Sequence, residues 1–276
     1  MTMVDLRGRI RERGVPVAPV QRQASRLDFV GDLDAAIALL AVPADTASAM
    51  LPDGLRLARQ GITPENRHPL LLILGRQRNV RLALFSGGID YLEFILAMPF
   101  VEHDQPDRPR GPFGYLPCLL LDRRLPIVAG RLLLAYDKRR AAISATEDTY
   151  RIACADSGEP LLSARFRARA GLRNGRPPAP IAEILRLPVI SRRARGAWRY
   201  SVADLALDRA EIAPIEVDLA IVRPFVPGLT AGSFALEAKR GQALRLRTSW
   251  RLTGPFARRS LPLASGAGQS PAEAVT

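Results

Sequence analysis

The sequence predicts an α+β fold that is mostly antiparallel β, a curved sheet with a few helices. Short segments rich in branched apolar residues recur from about residue 35 to residue 252 and are separated by Gly, Pro, Asp and Ser turns. Only three stretches read as helix. A chain of 276 residues that is 47% hydrophobic and 24% charged can bury a sizeable core. No change of composition inside residues 30–255 marks a linker, so one domain is expected over residues 25–255. An arginine-rich arm (1–24) and an Ala/Ser/Gly/Pro-rich tail (256–276) flank it and are expected not to pack.

The first expected strand is Ala35 to Val42. A short helix from about Asp45 to Leu51 follows and ends in the turn Pro52-Asp53-Gly54; strands come next near Leu55 to Leu57 and Leu70 to Leu74. Past Ser86-Gly87-Gly88, the aromatic and branched residues of Ile89 to Phe100 read as a long strand that carries Glu93 and ends at Pro99. Val101 to Pro112 reads as a polar loop, Tyr115 to Leu121 as a strand and Leu125 to Ala135 as a buried helix with Pro126 in its first turn. Lys138 then falls just past a helix end. Strands about Tyr150 to Ala155 and Leu161 to Phe166 flank the turn Gly158-Glu159-Pro160, and a helix is expected over Ala179 to Leu187. Ala197 to Leu207, Pro214 to Val222, Ser233 to Ala238 and Ala243 to Leu252 complete the sheet.

A net charge of +13 raises the question of nucleic acid. The arginines are scattered along the whole chain, aromatics are only 6%, and no nucleic-acid motif occurs, so that role is not expected. The clusters Arg7 to Arg13 and Arg192 to Arg199 read as solvated faces or oligomer contacts. No apolar run is long enough for a signal peptide or a membrane span, which predicts a cytoplasmic protein without a membrane partner. Cys118 and Cys154 read as free thiols. The two histidines, His68 and His103, lie apart with no ligand cluster around them, and neither a GxSxG elbow nor a nucleotide-binding glycine motif is present. Cofactor-free and metal-free chemistry is the expectation.

Only two of the 40 basic residues are lysines, Lys138 and Lys239. Arginine serves most basic functions but cannot deprotonate to attack a carbonyl, so a lysine kept in such a chain is a candidate amine. Lys138 follows the apolar run of GRLLLAYDKRR. The alternative reading is an ordinary solvated charge favoured by a helix C-terminus.

The segment IDYLEFILAMPF, followed after a loop by GPFGYLPCLLLDRRLPIVAGRLLLAYDKRRAAI, resembles the acetoacetate decarboxylase family over about fifty residues. The order of parts is the same: Tyr91 and Glu93, Gly114 and Tyr115, Asp122, then Gly130, Arg131, Leu132, Ala135, Tyr136, Asp137, Lys138 and Arg139. The resemblance implies a β-cone-like barrel, a Schiff-base Lys138, Glu93 as the acid of the pocket, Tyr136 and Leu120 on its wall, and Arg131 and Arg139 near the substrate. It also implies a small keto acid or related ligand, no cofactor, and a homo-oligomer. Four family positions differ: Leu132 stands for a glutamate, Ala135 for a glycine, Asp137 for a proline and Arg139 for a second lysine. An arginine beside Lys138 would oppose its protonation, and Asp137 would favour it. A pocket arginine and a second glutamate of the family have no counterparts in DAAIALLAV and LLILGRQRNV, which points away from acetoacetate itself. A Schiff-base aldolase or dehydratase, and a non-catalytic binder of a small organic ligand, are the alternatives on the same fold.

Overall fold

The computed structural model describes residues 28–192, 197–237 and 241–256. The expected arm, Lys239 and the tail beyond Phe256 lie outside the described residues. In chain order the elements are β1 (Phe29–Pro43), α1 (Ala44–Ser48), β2 (Leu55–Leu57), β3 (Arg67–Leu82), β4 (Ile89–His103), β5 (Phe113–Leu121), α2 (Arg124–Leu134), β6 (Lys138–Ala145), β7 (Thr149–Cys154), β8 (Pro160–Ala168), β9 (Arg173–Asn174), α3 (Ala179–Leu185), β10 (Val189–Arg192), β11 (Trp198–Leu205), β12 (Glu211–Ile221), β13 (Gly232–Leu236) and β14 (Ala243–Phe256).

The strands close into a mixed barrel of nine, β1-β3-β4-β5-β6-β7-β8-β12-β14 and back to β1. A second closure shares part of it, because β10 pairs with the start of β5 and β11 with the end of β14. The two parallel pairings, β5 with β6 and β5 with β10, interrupt an otherwise antiparallel sheet. The first is a strand–helix–strand crossover through α2, the connection a parallel pair requires.

Each closure has its own core, and the strands they share supply both. Alternate residues Leu70, Leu72 and Leu74 of β3, with Phe94, Leu96 and Met98 of β4, fill the larger barrel. Leu71 and Ile73 face the other way and join Leu33, Ile37 and Leu246 beneath α3. Burial on both faces explains why ALLAV and LLLIL read as continuous apolar runs rather than alternating ones.

Four expectations need correction. Val101 and His103 are buried and pair with Leu57 and Leu55 of β2, so β4 runs to His103 and the loop begins at Asp104. The first helix spans only Ala44–Ser48, where Met50 and Leu51 already close turns onto Ala47 and Ser48. Helix α2 is buried on one side only, and Leu125, Val128 and Leu132 on its other side are exposed. β14 continues past its expected end at Leu252 to Phe256, because its end pairs with β11.

Candidate active site

The crossover sets the position of Lys138. Helix α2 packs through Pro126, Ile127, Gly130 and Leu134, and its C-cap, Ala135, takes the left-handed conformation (φ 58°), a region that disfavours residues with a Cβ. Tyr136 donates its backbone N–H to Gly130 O. After this reversal Lys138 opens β6, opposite Leu119 of β5. A Cβ on Gly130 would lie 2.5 Å from Lys138 Cδ and 2.7 Å from Cε, so the bare backbone at 130 is the surface on which the lysine stem rests.

Lys138 and Glu93 are 8% and 4% exposed, and Lys138 Nζ donates to Glu93 Oε1 at 2.9 Å. The second carboxylate oxygen, Oε2, accepts from Gln77 Nε2 at 3.0 Å, and Gln77 Oε1 accepts from Trp250 Nε1 at 2.9 Å. Indole N–H can only donate, so Trp250 fixes which way the Gln77 amide faces and thereby presents an N–H to Glu93. Glu93 thus accepts two hydrogen bonds and serves as the counter-charge of the lysine. The Lys138 ammonium lies 5.9 Å from the centre of the Tyr91 ring.

These groups line a cavity of about 170 Å³ inside the smaller closure. Apolar side chains of seven strands and of α3 form most of its wall, Leu71, Ile73, Ile95, Leu119, Ile184 and Leu252 among them. Among the described residues, Lys138 and Glu93 are the only charged ones in that wall. Tyr136 also lines it, with its hydroxyl paired to Ser201 Oγ; burial pushes this phenol up to about 12, against the lowering effect of the Ser201 hydrogen bond. Burial first, and then the charges of Glu93 and Asp122, raise the Tyr91 phenol well above its usual value.

Of the residues singled out from sequence, Lys138, Glu93 and Tyr136 meet in the cavity, and three do not. Leu120 sits in the larger core, because strand alternation sends Leu119 to the cavity and Leu120 to the opposite face. Arg139 is exposed and binds Asp137 through Nε (3.0 Å) and Nη2 (2.6 Å), so the two charges flanking Lys138 neutralise each other outside the cavity. Arg131 is exposed as well, but donates from Nε to the backbone carbonyl of Lys138 at 2.7 Å, which ties α2 to the start of β6. Sequence reasoning missed Gln77, Trp250 and Ser201. The first two share a parity with buried apolar neighbours, Leu71 and Ile73 for Gln77, Leu246 for Trp250, which is the signal that marks them.

His68 pairs with Pro99 O and His103 with the Tyr200 hydroxyl, neither histidine lines the cavity, and Cys118 and Cys154 are free thiols. Among the described residues no cluster of His, Cys, Asp and Glu is arranged to hold a metal ion, and no helix is long and apolar enough to cross a membrane.

No family model and no curated protein matches the sequence. Solved structures do match. The enduracididine biosynthesis enzyme MppR in complex with pyruvate aligns over 89% of this chain and 97% of its own, with a TM-score of 0.57 at 14% identity. An acetoacetate decarboxylase-like enzyme from Sphingomonas wittichii aligns over 83% and 92% (TM-score 0.56, 15% identity), and acetoacetate decarboxylase from Legionella pneumophila over 86% and 90% (TM-score 0.50, 16% identity). The strand order, the crossover and these likenesses agree: the chain has the acetoacetate decarboxylase-like fold, carried by a widely diverged sequence.

Proposed function

We propose that this protein is an acetoacetate decarboxylase-like enzyme that binds a small carbonyl compound as an imine on Lys138. The observation that carries the reading is a lysine amine 2.9 Å from a buried carboxylate in an apolar cavity. Acetoacetate decarboxylase is itself a known case of a lysine activated as a nucleophile by its surroundings, and the role given to Lys138 follows that precedent.

The pair supplies the protons that imine formation needs. Lys138 passes one proton to Glu93 and attacks the carbonyl carbon as a neutral amine. The carbonyl oxygen is protonated and leaves as water, so that R–NH3+ and O=CR2 become R–NH+=CR2 and H2O with charge conserved. The iminium keeps the position of the ammonium beside the Glu93 carboxylate. It then withdraws electrons from a neighbouring bond, either the bond to a β-carboxylate, which leaves as carbon dioxide, or an α C–H bond, whose proton goes to Glu93. MppR holds pyruvate in its structure, which makes a small keto acid the first substrate class to try. In the same reading the protein is a cytoplasmic homo-oligomer that needs no cofactor; size-exclusion chromatography yielding only a 30.1 kDa species refutes the oligomer.

The test is borohydride trapping with a panel of short carbonyl compounds, read by mass spectrometry. Covalent mass on Lys138, absent in Lys138→Arg and strongly reduced in Glu93→Gln, is the expected result. Folded protein that gives no adduct with any carbonyl refutes it.

A further inference from the structure

The wall of the cavity says more about the substrate than the amine does. Among the described residues its only charged ones are Lys138 and Glu93, already paired with each other, so the described wall is neutral as a whole. No arginine among the described residues lines it. The polar groups of Gln77, Trp250 and Tyr136 are committed to partners, which leaves Tyr91 as the one polar lining side chain whose hydroxyl has no hydrogen-bond partner among the described residues. A neutral phenol suits a carbonyl or hydroxyl oxygen as donor or acceptor.

A substrate carboxylate would bring a second negative charge next to Glu93 with no further cation among the described residues of the wall to receive it. When the imine forms, the charge on nitrogen is still matched by Glu93, and the substrate carboxylate remains uncompensated against a mostly apolar wall. An uncharged ketone or aldehyde leaves the cavity neutral at every step. The volume, about 170 Å³, is close to that of a dry cavity known to take benzene, about 150 Å³, which limits the bound part to a handful of non-hydrogen atoms.

We infer that the cavity takes uncharged short-chain ketones or aldehydes in preference to keto acids, and that the iminium is used to release an α-proton to Glu93 rather than to expel carbon dioxide. In this step the α C–H electron pair becomes the enamine C=C bond, the iminium π pair returns to nitrogen, and the proton moves to the Glu93 carboxylate. The inference rests on imine formation at Lys138.

Isosteric pairs separate charge from shape. Acetoacetate and 4-methyl-2-pentanone differ only in a carboxylate replaced by isopropyl, as do pyruvate and 3-methyl-2-butanone. Each compound is trapped on the protein with borohydride, and its yield at Lys138 is divided by its yield on free Nα-acetyl-lysine. The neutral member of each pair is expected to give at least about a hundredfold more normalised adduct, the ratio that an unpaired buried carboxylate implies. Deuterium from solvent should enter its α-carbon in wild-type protein and not in Lys138→Arg. Equal or greater trapping of the keto acids overturns the inference and leaves the imine reading standing. Adduct from neither class, in protein with an intact melting transition, removes the imine reading and this inference together.

Discussion

Replacing Gly130 with alanine should disable the amine while leaving the fold almost untouched. The new methyl carbon would lie 2.5 Å from Lys138 Cδ, 2.7 Å from Cε and 3.4 Å from Cγ, where carbon atoms in contact sit about 3.5–4.0 Å apart. Relief requires the lysine stem to move by about 1 Å, the difference between these distances. The helix cannot easily retreat, because Arg131 ties it to the Lys138 carbonyl and Ser191 Oγ donates to Leu134 O at 2.9 Å. A shift of that size in Nζ would stretch its 2.9 Å hydrogen bond to Glu93 beyond hydrogen-bonding range. Misplacement by 1 Å costs about 100-fold in rate for a reacting group. Stability falls by less than the about 2.7 kcal/mol that 100-fold represents, since overpacking costs about 1–3 kcal/mol and alanine regains about 1 kcal/mol over glycine inside a helix. The assay is the rate of borohydride trapping at Lys138 beside a denaturant melt of the same protein. Wild-type trapping in Gly130→Ala would refute the idea that this glycine seats the lysine.

Ala135→Gly should stabilise the protein by about 1 kcal/mol, because φ 58° strains a residue with a Cβ, and a lower denaturation midpoint would count against that strain. Trp250→Phe removes the donor that orients Gln77; we expect imine formation to slow about fivefold for loss of roughly 1 kcal/mol of hydrogen bonding, with ligand-free stability changing less than in Trp250→Ala, and unchanged trapping would remove Trp250 from the site. Burial lowers the pKa of both His68 and His103, which their hydrogen bonds to neighbouring backbone oppose. The unfolded chain therefore binds their protons first, so stability is full above the ordinary value of 6.5 and falls as pH drops below it toward the folded-state values. Urea titrations at pH 8, 6 and 5 read this directly, and stability rising toward acid would contradict it. Tyr136, pushed up to about 12, stays a neutral phenol throughout the assay range; Tyr136→Phe should leave the shape of the pH–rate profile below pH 10 unchanged, and loss of an alkaline limb in the variant would refute this.

Elements with a strong local signature are legible in the sequence. The α2 helix, with Pro126 near its first turn, lies within a residue of its expected bounds, and turn residues place the strands β2, β5, β7 and β8. Legibility fails where tertiary pairing decides. His103 belongs to β4 only because β2 lies beside it, and Leu120 cannot be told from Leu119 as a wall residue because both faces of β5 are apolar. The site follows the same rule. Lys138 stands out as one of two lysines and Glu93 through the resemblance, whereas Gln77 and Trp250 come together only when β1 draws β3 and β14 to its two sides.

The hydrogen-bonded chain from Trp250 through Gln77 and Glu93 to Lys138 draws on β14, β3, β4 and β6, none of them a loop. Many enzymes hold their reacting groups on segments that open well before the rest of the molecule. In this chain the groups proposed to react and the barrel stand or fall as one, since freeing any of these strands breaks the closure that all of them share. The reactivity proposed for Lys138 should therefore serve as a gauge of global folding: its loss on heating or in denaturant is expected to coincide with the main unfolding transition, without an earlier inactivation step.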